Sequence, residues 1–295
     1  EFWDSLSKVQ WHMDEPSADP SAVALYFVDQ LAAQDVKAVL SGEGADEFFG
    51  GYRIYQVPFA NRKVEYIPRA VRQAGAQLAH TLHVRGEHYL QRSLQTPEDW
   101  YYTNANGVAF SYEEASELVK RPLQTPRPQT YTAPVYAEVT QLDETSRMQY
   151  LDLYFWLVGD ILLKTDKMSM AHSLESRVPF LDRKVFELSC TIPTSQRVDE
   201  KQPKIALSDA AECVIPTSWA QTEKLGFPVP VASWLREERY YQQVADSFTS
   251  ETAECYFNTE HLMKLLDEHR AGADRSRKIW IVYMFLIWHQ VFFEV

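Results

Sequence analysis

The stretch Val39-Leu40-Ser41-Gly42-Glu43-Gly44-Ala45-Asp46-Glu47-Phe48-Phe49-Gly50-Gly51-Tyr52 decides the fold of this chain. The residues leading into it, Val36–Leu40, are short, apolar and β-branched, which predicts a buried strand. A strand ending in Ser41-Gly42 carries backbone N–H groups and a hydroxyl to the carboxyl edge of a sheet, where open α/β sheets bind ligands. Glycine lets that backbone approach a ligand without a Cβ in the way. Three carboxylates follow, Glu43, Asp46 and Glu47. Carboxylates repel a bare phosphate, but Mg²⁺ between them reverses the sign, because that ion takes one or two carboxylates together with phosphate oxygens. The dinucleotide pattern fails, since Glu47 stands where its third glycine belongs, and the chain has no Walker-type Gly-Lys-Ser/Thr. On spacing alone the segment fits an acidic hairpin or helix start equally well, because Asp and Glu favour that end of the helix dipole.

Outward from this turn, 295 residues with 45% apolar and 24% charged side chains make a globular chain able to bury one large core or two ordinary ones. A formal charge of −12 excludes a nonspecific grip on nucleic acid or an anionic membrane, either of which needs a basic face. It leaves small anionic ligands open. Cys190, Cys213 and Cys255 are far apart and odd in number, so they give no disulfide framework and no paired zinc spacing; they read as buried or incidental thiols of a reducing cytoplasm. The start, Glu1-Phe2-Trp3, shows no leader pattern, and the apolar run Ile279 to Trp288 falls short of the ~20 residues a spanning helix needs.

Trp3 to Gln34 reads as helix in pieces, broken by the turn-rich residues from Asp14 to Pro20. Arg62 to Leu94 reads as one or two surface helices, Thr96 to Tyr112 as an aromatic loop, and Arg121 to Pro134, with its four prolines, as a linker. Glu144 to Leu174 is strongly helical, and its centre is apolar nearly all round, as befits a core helix. Further helices are expected at Pro203 to Glu212, Trp234 to Phe248, Glu260 to Arg270 and the apolar tail. His80, His83 and His88 lack the carboxylate or cysteine companions of a metal face and read as a solvated helix. The chain is thus predominantly α-helical with one clear strand.

Three motifs now carry a family resemblance. Ser41 to Tyr52 resembles the signature of the C-terminal synthetase domain of glutamine-hydrolysing asparagine synthetases. A second match runs from Lys164-Thr165-Asp166-Lys167-Met168-Ser169-Met170-Ala171-His172 to Arg177-Val178-Pro179-Phe180-Leu181-Asp182, and a third is Lys224-Leu225-Gly226-Phe227-Pro228-Val229-Pro230. The opening Trp11-His12-Met13-Asp14-Glu15-Pro16 fits as well. The resemblance implies an α/β fold of the pyrophosphatase-type, adenine nucleotide alpha hydrolase-like class. It implies ATP-dependent formation of β-aspartyl-AMP from aspartate, with pyrophosphate released, then amination by ammonia from glutamine to give asparagine and AMP.

Residue by residue, the resemblance places Ser41, Gly42 and Gly44 at ATP and Asp46 on Mg²⁺. It gives Glu43 a role at the acyl-adenylate, where a carboxylate could take a proton from incoming ammonia. Lys224 would meet phosphate charge, Arg177 could fork onto a carboxylate, and Asp166 lies in the same matched motif. The plainer readings are a supporting turn acid for Glu47, an Arg177 pair with Glu175 or Asp182, and a salt bridge along the face shared by Asp160, Lys164 and Lys167.

The family's Ser-Gly-Gly-x-Asp-Ser phosphate loop and its N-terminal glutaminase domain do not occur in these residues. Residues 1–295 are therefore expected to form an incomplete synthetase-type domain, with 1–60 the remnant of the nucleotide-binding sheet, 61–145 a helical and loop region, and 146–295 a helical core. Activity would then need the N-terminal portion as partner, with ATP, aspartate and ammonia as substrates. A homodimer stays open, and neither nucleic acid nor membrane is expected as partner. The alternatives are a related amidoligase that adenylates another carboxylate, as β-lactam-forming relatives do, and a noncatalytic truncated helical module.

Overall fold

The strand in front of the glycine turn finds its partner far along the chain. In the computed structural model, which describes residues 1–81, 87–102, 109–222 and 226–294, β1 (Ala38–Leu40) pairs in parallel with β2 (Glu175–Arg177). The register is Ala38 to Glu175, Val39 to Ser176 and Leu40 to Arg177. Backbone bonds at both ends extend the pairing: the Glu175 N–H donates to Lys37 O at 2.9 Å, and the Ser41 N–H donates to Arg177 O at 2.7 Å. Glu175-Ser176-Arg177 has no β-branched residue, so its extended shape comes from this pairing and not from local propensity.

The sequence predicts a buried strand, and β1 is not one. Leu40 is 76% exposed, Ala38 is exposed too, and only Val39 turns partly inward. A parallel strand is buried when both faces are covered, and the described residues cover one.

All other described elements are helical or irregular. The first helix, Leu6–Met13, packs its Leu6, Val9 and Met13 into the same cluster as Ile279, Trp280, Tyr283 and Leu286 of the C-terminal helix Ser276–Phe293. Trp3 stacks on Tyr240 at 4.4 Å and meets Trp280 edge-on at 5.6 Å, a geometry that adds to simple area burial. The expected break at Asp14 to Pro20 is present, and it is tightly held. Buried Gln10 bonds Ser17 through both amide atoms, and the Trp288 indole donates to Asp14 O at 2.8 Å. No helix among the described residues is long and apolar enough to cross a membrane.

The core helix expected from Glu144 to Leu174 forms as Glu144–Tyr154 and Leu163–Met170, joined by a π-helical turn at Leu157–Leu162. A second cluster forms around the first of these, where the Tyr55 and Tyr101 hydroxyls each donate to buried Asp152 Oδ2 at 2.5 Å. Further expectations are corrected. Thr96 to Tyr112 is not all loop, because Pro97–Trp100 is a helical turn started by Thr96, and the helix expected from Trp234 to Phe248 forms as two, Val231–Trp234 and Glu238–Phe248. The residues from Arg121 to Pro134 are not all linker, because Pro128–Glu138 is a helix with Pro128 in its first turn, where a missing N–H costs nothing. The three cysteines are free and exposed, which fits the incidental reading of them and not the buried one.

Asp29, on the inner face of the helix Ser21–Ala32, is 5% exposed, and its Oδ2 has no hydrogen-bond partner. Burial pushes its carboxyl up to about 6 from an ordinary 3.8. A carboxyl whose folded-state pKa is raised contributes stability below its unfolded value and loses it as pH rises through the folded value. Asp29→Asn is therefore expected to match the native chain near pH 4 and to be about 1–2 kcal/mol more stable near pH 7.5. Thermal denaturation across that range reads the difference; equal melting temperatures near pH 7.5 would sink the assignment.

Candidate functional site

Directly after β1 the chain makes its glycine turn and enters the short helix Ala45–Phe49. Gly44 starts that helix at φ +88°, in the left-handed region that side-chain-bearing residues avoid, and a Cβ there would run into the Leu181 side chain. The turn is thus fitted against Val178-Pro179-Phe180-Leu181, which follows β2. Around Gly42 the situation is the reverse: a Cβ would meet nothing within 4 Å. The backbone there is exposed, with open space beside it.

Glu43 is half-buried at the mouth of the turn. Its Oε1 accepts from the Ser41 hydroxyl at 3.3 Å and from the Thr165 hydroxyl at 3.3 Å. These two long bonds orient the carboxylate without neutralising it. Behind Thr165, Lys164 is 7% exposed and sits between two carboxylates, with its ammonium 2.5 Å from Asp19 Oδ2 and 3.5 Å from Asp160 Oδ2. It also donates to the Ser21 hydroxyl at 3.0 Å. Burial works against the charge on Lys164, but Asp19, Asp160 and Glu43 outweigh it and hold the ammonium above its usual range. For Asp19 burial pushes upward, and Lys164 with Ser21 more than reverses it, so this carboxyl lies low. For Asp160 burial wins over Lys164, with Asp19 and Glu43 adding to it, so this carboxyl lies high. One lysine thus leaves one firm carboxylate and one that holds its proton more readily, beside Glu43.

On the other side of the turn, Asp46 Oδ1 lies 2.8 Å from the Lys204 ammonium. Lys204 precedes the helix Ile205–Glu212 with φ +53°, a left-handed backbone that costs a lysine ~1–2 kcal/mol. Gly51 makes the pair fit, since a Cβ at that position would overlap both Asp46 Oδ1 and Lys204 Cε. Glu47 points inward, 2% exposed, and accepts from the Tyr52 hydroxyl at 2.7 Å, which accepts in turn from the Trp156 indole at 3.1 Å. Burial raises the Glu47 carboxyl. Its backbone carbonyl accepts from Gln149 Nε2 at 2.6 Å, and Gln149 is held by Arg197 at 2.9 Å. Glu47 supports the turn from beneath.

Ser41, Gly42, Glu43, Gly44 and Asp46 therefore come together at the carboxyl end of β1. Arg177 reaches the same place through its backbone, but its guanidinium is exposed and forks onto Glu175 at 3.0 and 3.4 Å. Asp166, one residue past Thr165, is exposed. Lys167 pairs with Asp14, off the Asp160–Lys164 contact. Lys224 lies outside the described residues, as do His83 and the side chains of His80 and His88. Two contributors were not singled out from sequence. Thr165 sits inside the second matched motif and could have been found there; Lys204 follows no motif and is joined to Asp46 only by the fold.

Asp46 suits a cation, since it already balances one, and among the described residues no group of three or more His, Cys, Asp or Glu could hold a metal unaided. That combination fits Mg²⁺, which needs few protein carboxylates when phosphate oxygens complete its shell.

Residues 1–290 match the family described as asparagine synthase. A protein of Mycobacterium tuberculosis named "Putative asparagine synthetase (glutamine-hydrolyzing)" is 41% identical over 299 residues, covering 100% of this chain and 45% of the relative. Asparagine synthetase (glutamine-hydrolyzing) 1 of Bacillus subtilis is 38% identical over 297 residues, covering 100% and 46%. The amidase chry2 of Gibberella zeae is 25% identical over 213 residues, covering 64% and 30%. The chain spans about half the length of the first two relatives.

Gly51→Ala is expected to force Asp46 and Lys204 apart and to destabilise the chain by about 1–3 kcal/mol, the usual cost of overpacking. Urea denaturation measures it; an unchanged midpoint would show that the pair does not depend on a bare Cα at position 51.

Proposed function

The chain belongs to the asparagine synthase family, and from that premise we propose that it carries the acid-bearing half of an ATP-dependent amidoligase site that makes asparagine from aspartate. The observation that carries this reading is Glu43, held by the Ser41 and Thr165 hydroxyls at the carboxyl end of two parallel strands. Ligands bind at that edge in open α/β sheets. The proposed fold is accordingly the nucleotide alpha hydrolase-like α/β class, of which the described residues supply two strands.

In the first step a side-chain carboxylate oxygen of aspartate attacks the α-phosphorus of ATP, and the bond to the β-phosphate oxygen breaks to release pyrophosphate. Asp46 would hold Mg²⁺, which would neutralise phosphate charge when bound. Ser41 and the open backbone at Gly42 line the approach of the nucleotide, while Gly44, assigned to ATP by resemblance, is buried against Leu181 and shapes the turn. Lys204 is held at Asp46, and Lys224 is assigned to the phosphate charge by resemblance alone. In the second step ammonia attacks the acyl carbon and AMP leaves with the bonding electron pair. The amine loses a proton in that step, and Glu43 is the carboxylate placed to take it. Arg177 and Asp166 are proposed at the aspartate end of the site; for Arg177 this requires exchanging Glu175 for the substrate carboxylate.

The phosphate loop and the ammonia source would come from further polypeptide that adds to the exposed strand β1. Leu31, Val36 and Leu40 are exposed apolar residues on and beside that strand. A two-stranded sheet is marginal by itself, and parallel sheets are stable when covered on both faces. Residues 1–60 would then be the remnant of a nucleotide-binding sheet whose second strand, β2, comes from the helical core 146–295, with 61–145 a helical and loop region.

The test measures AMP, pyrophosphate and asparagine with the full-length parent protein or this chain complemented by its upstream portion. Glu43→Gln is expected to lower asparagine formation by roughly 10²–10⁴-fold. AMP formation with another acid and not with aspartate would move the chain to a related amidoligase, and no ATP-dependent pyrophosphate release in the complemented pair would leave only a noncatalytic module.

A further inference from the structure

Asp46 and Lys204 do more than hold the turn together. The ammonium lies 2.8 Å from Asp46 Oδ1, with both side chains about a quarter exposed, so solvent screens the pair only in part. Three features aim this lysine at that oxygen. The left-handed backbone at Lys204 sets where its stem leaves the chain, and the bare Cα of Gly51 gives the stem room to pass. The helix Ile205–Glu212 starts directly after it and fixes the base of the side chain. A surface pair formed by chance needs none of these.

We propose that Lys204 fills the cation position of Asp46 whenever metal is absent, so that a divalent cation and this ammonium compete for one carboxylate oxygen. The proposal rests on Asp46 being the metal carboxylate. Two cations cannot both sit at contact distance from the same oxygen without strong mutual repulsion. Metal binding therefore displaces Lys204, and the lysine lowers the affinity of the protein for free metal. A metal that arrives on nucleotide phosphates brings negative charge that offsets the displaced ammonium, whereas a bare ion brings none. The exchange thus favours metal–nucleotide over free metal and keeps Asp46 neutralised between turnovers.

Mn²⁺ serves as the probe, with its binding followed by the paramagnetic resonance of the free ion. The proteins are the native chain, K204M, D46N and the double variant, with K204Q as a second substitution if K204M does not fold. Methionine keeps the stem beside Gly51 and the same backbone demand, and removes only the charge. K204M is expected to bind Mn²⁺ several-fold tighter than the native chain, and D46N to abolish that gain. Affinity equal to or weaker than native, including no measurable binding in either protein, overturns the competition. If D46N weakens binding while K204M leaves it unchanged, the metal role of Asp46 stands and the competition alone fails. If the gain in K204M survives D46N, the metal is held elsewhere and both readings fall. A thermal double-mutant cycle between positions 46 and 204 gives a second readout: coupling is expected without divalent cation and is expected to vanish at saturating Mn²⁺, and coupling that persists overturns the proposal.

Discussion

The bond from the Ser41 N–H to the Arg177 carbonyl, at 2.7 Å, closes a crossover that runs through most of the first half of the chain. Every feature of the candidate site depends on it and on the three-residue register behind it. Thr165 can reach Glu43 only because the helix Leu163–Met170 leads directly into β2, and Leu181 can seat Gly44 only because it follows β2. Parallel pairing is the less stable kind per residue, and closing so long a crossover costs chain entropy. Helices beneath the strands supply what the pairing lacks. Met168 and Leu174, which bracket the approach to β2, are fully buried, and the Ser21–Ala32 helix that leads to β1 packs in the same layer through Ala22, Val23 and Tyr26.

Charge is arranged on the two sides of the turn by different means. On the Glu43 side a buried lysine is stabilised by two carboxylates. Asp19 lies low because its burial is outweighed by the nearer ammonium and two bonds from Ser21. Asp160 lies high because burial, with Asp19 and Glu43 beside it, outweighs the more distant ammonium. Removing one partner from such a cluster leaves a buried charge uncompensated, so the cluster is rigid as well as charged. On the Asp46 side a more exposed pair joins a strained lysine to a carboxylate beside a glycine. Glu47 and its bonds to Tyr52 and Gln149 separate the two sides and keep the intervening helix in place. The chain is acidic as a whole, at −12, so the few cations that point toward the turn gain weight as local partners for anionic groups.

The sequence by itself determined the helical character of the chain, the strand before Ser41, the break at Asp14 to Pro20 and the identity of the turn. Each of these is local: periodicity, a β-branched run, prolines and glycines act within a few residues. The three motifs in order also made the family legible. The tertiary structure alone decided the rest. Glu175-Ser176-Arg177 became a strand through a partner that no local preference announces, and Lys204 met Asp46 across a separation that spacing cannot bridge. Between the two pairings the sequence offered for Arg177, the strand chose Glu175, because residues two apart lie on one face of it. Burial raised the carboxyls of Asp29 and Asp160, since desolvation depends on what packs around a group and not on its neighbours in sequence. The first turn was written in the chain; the charges that would make it a site were placed by folding.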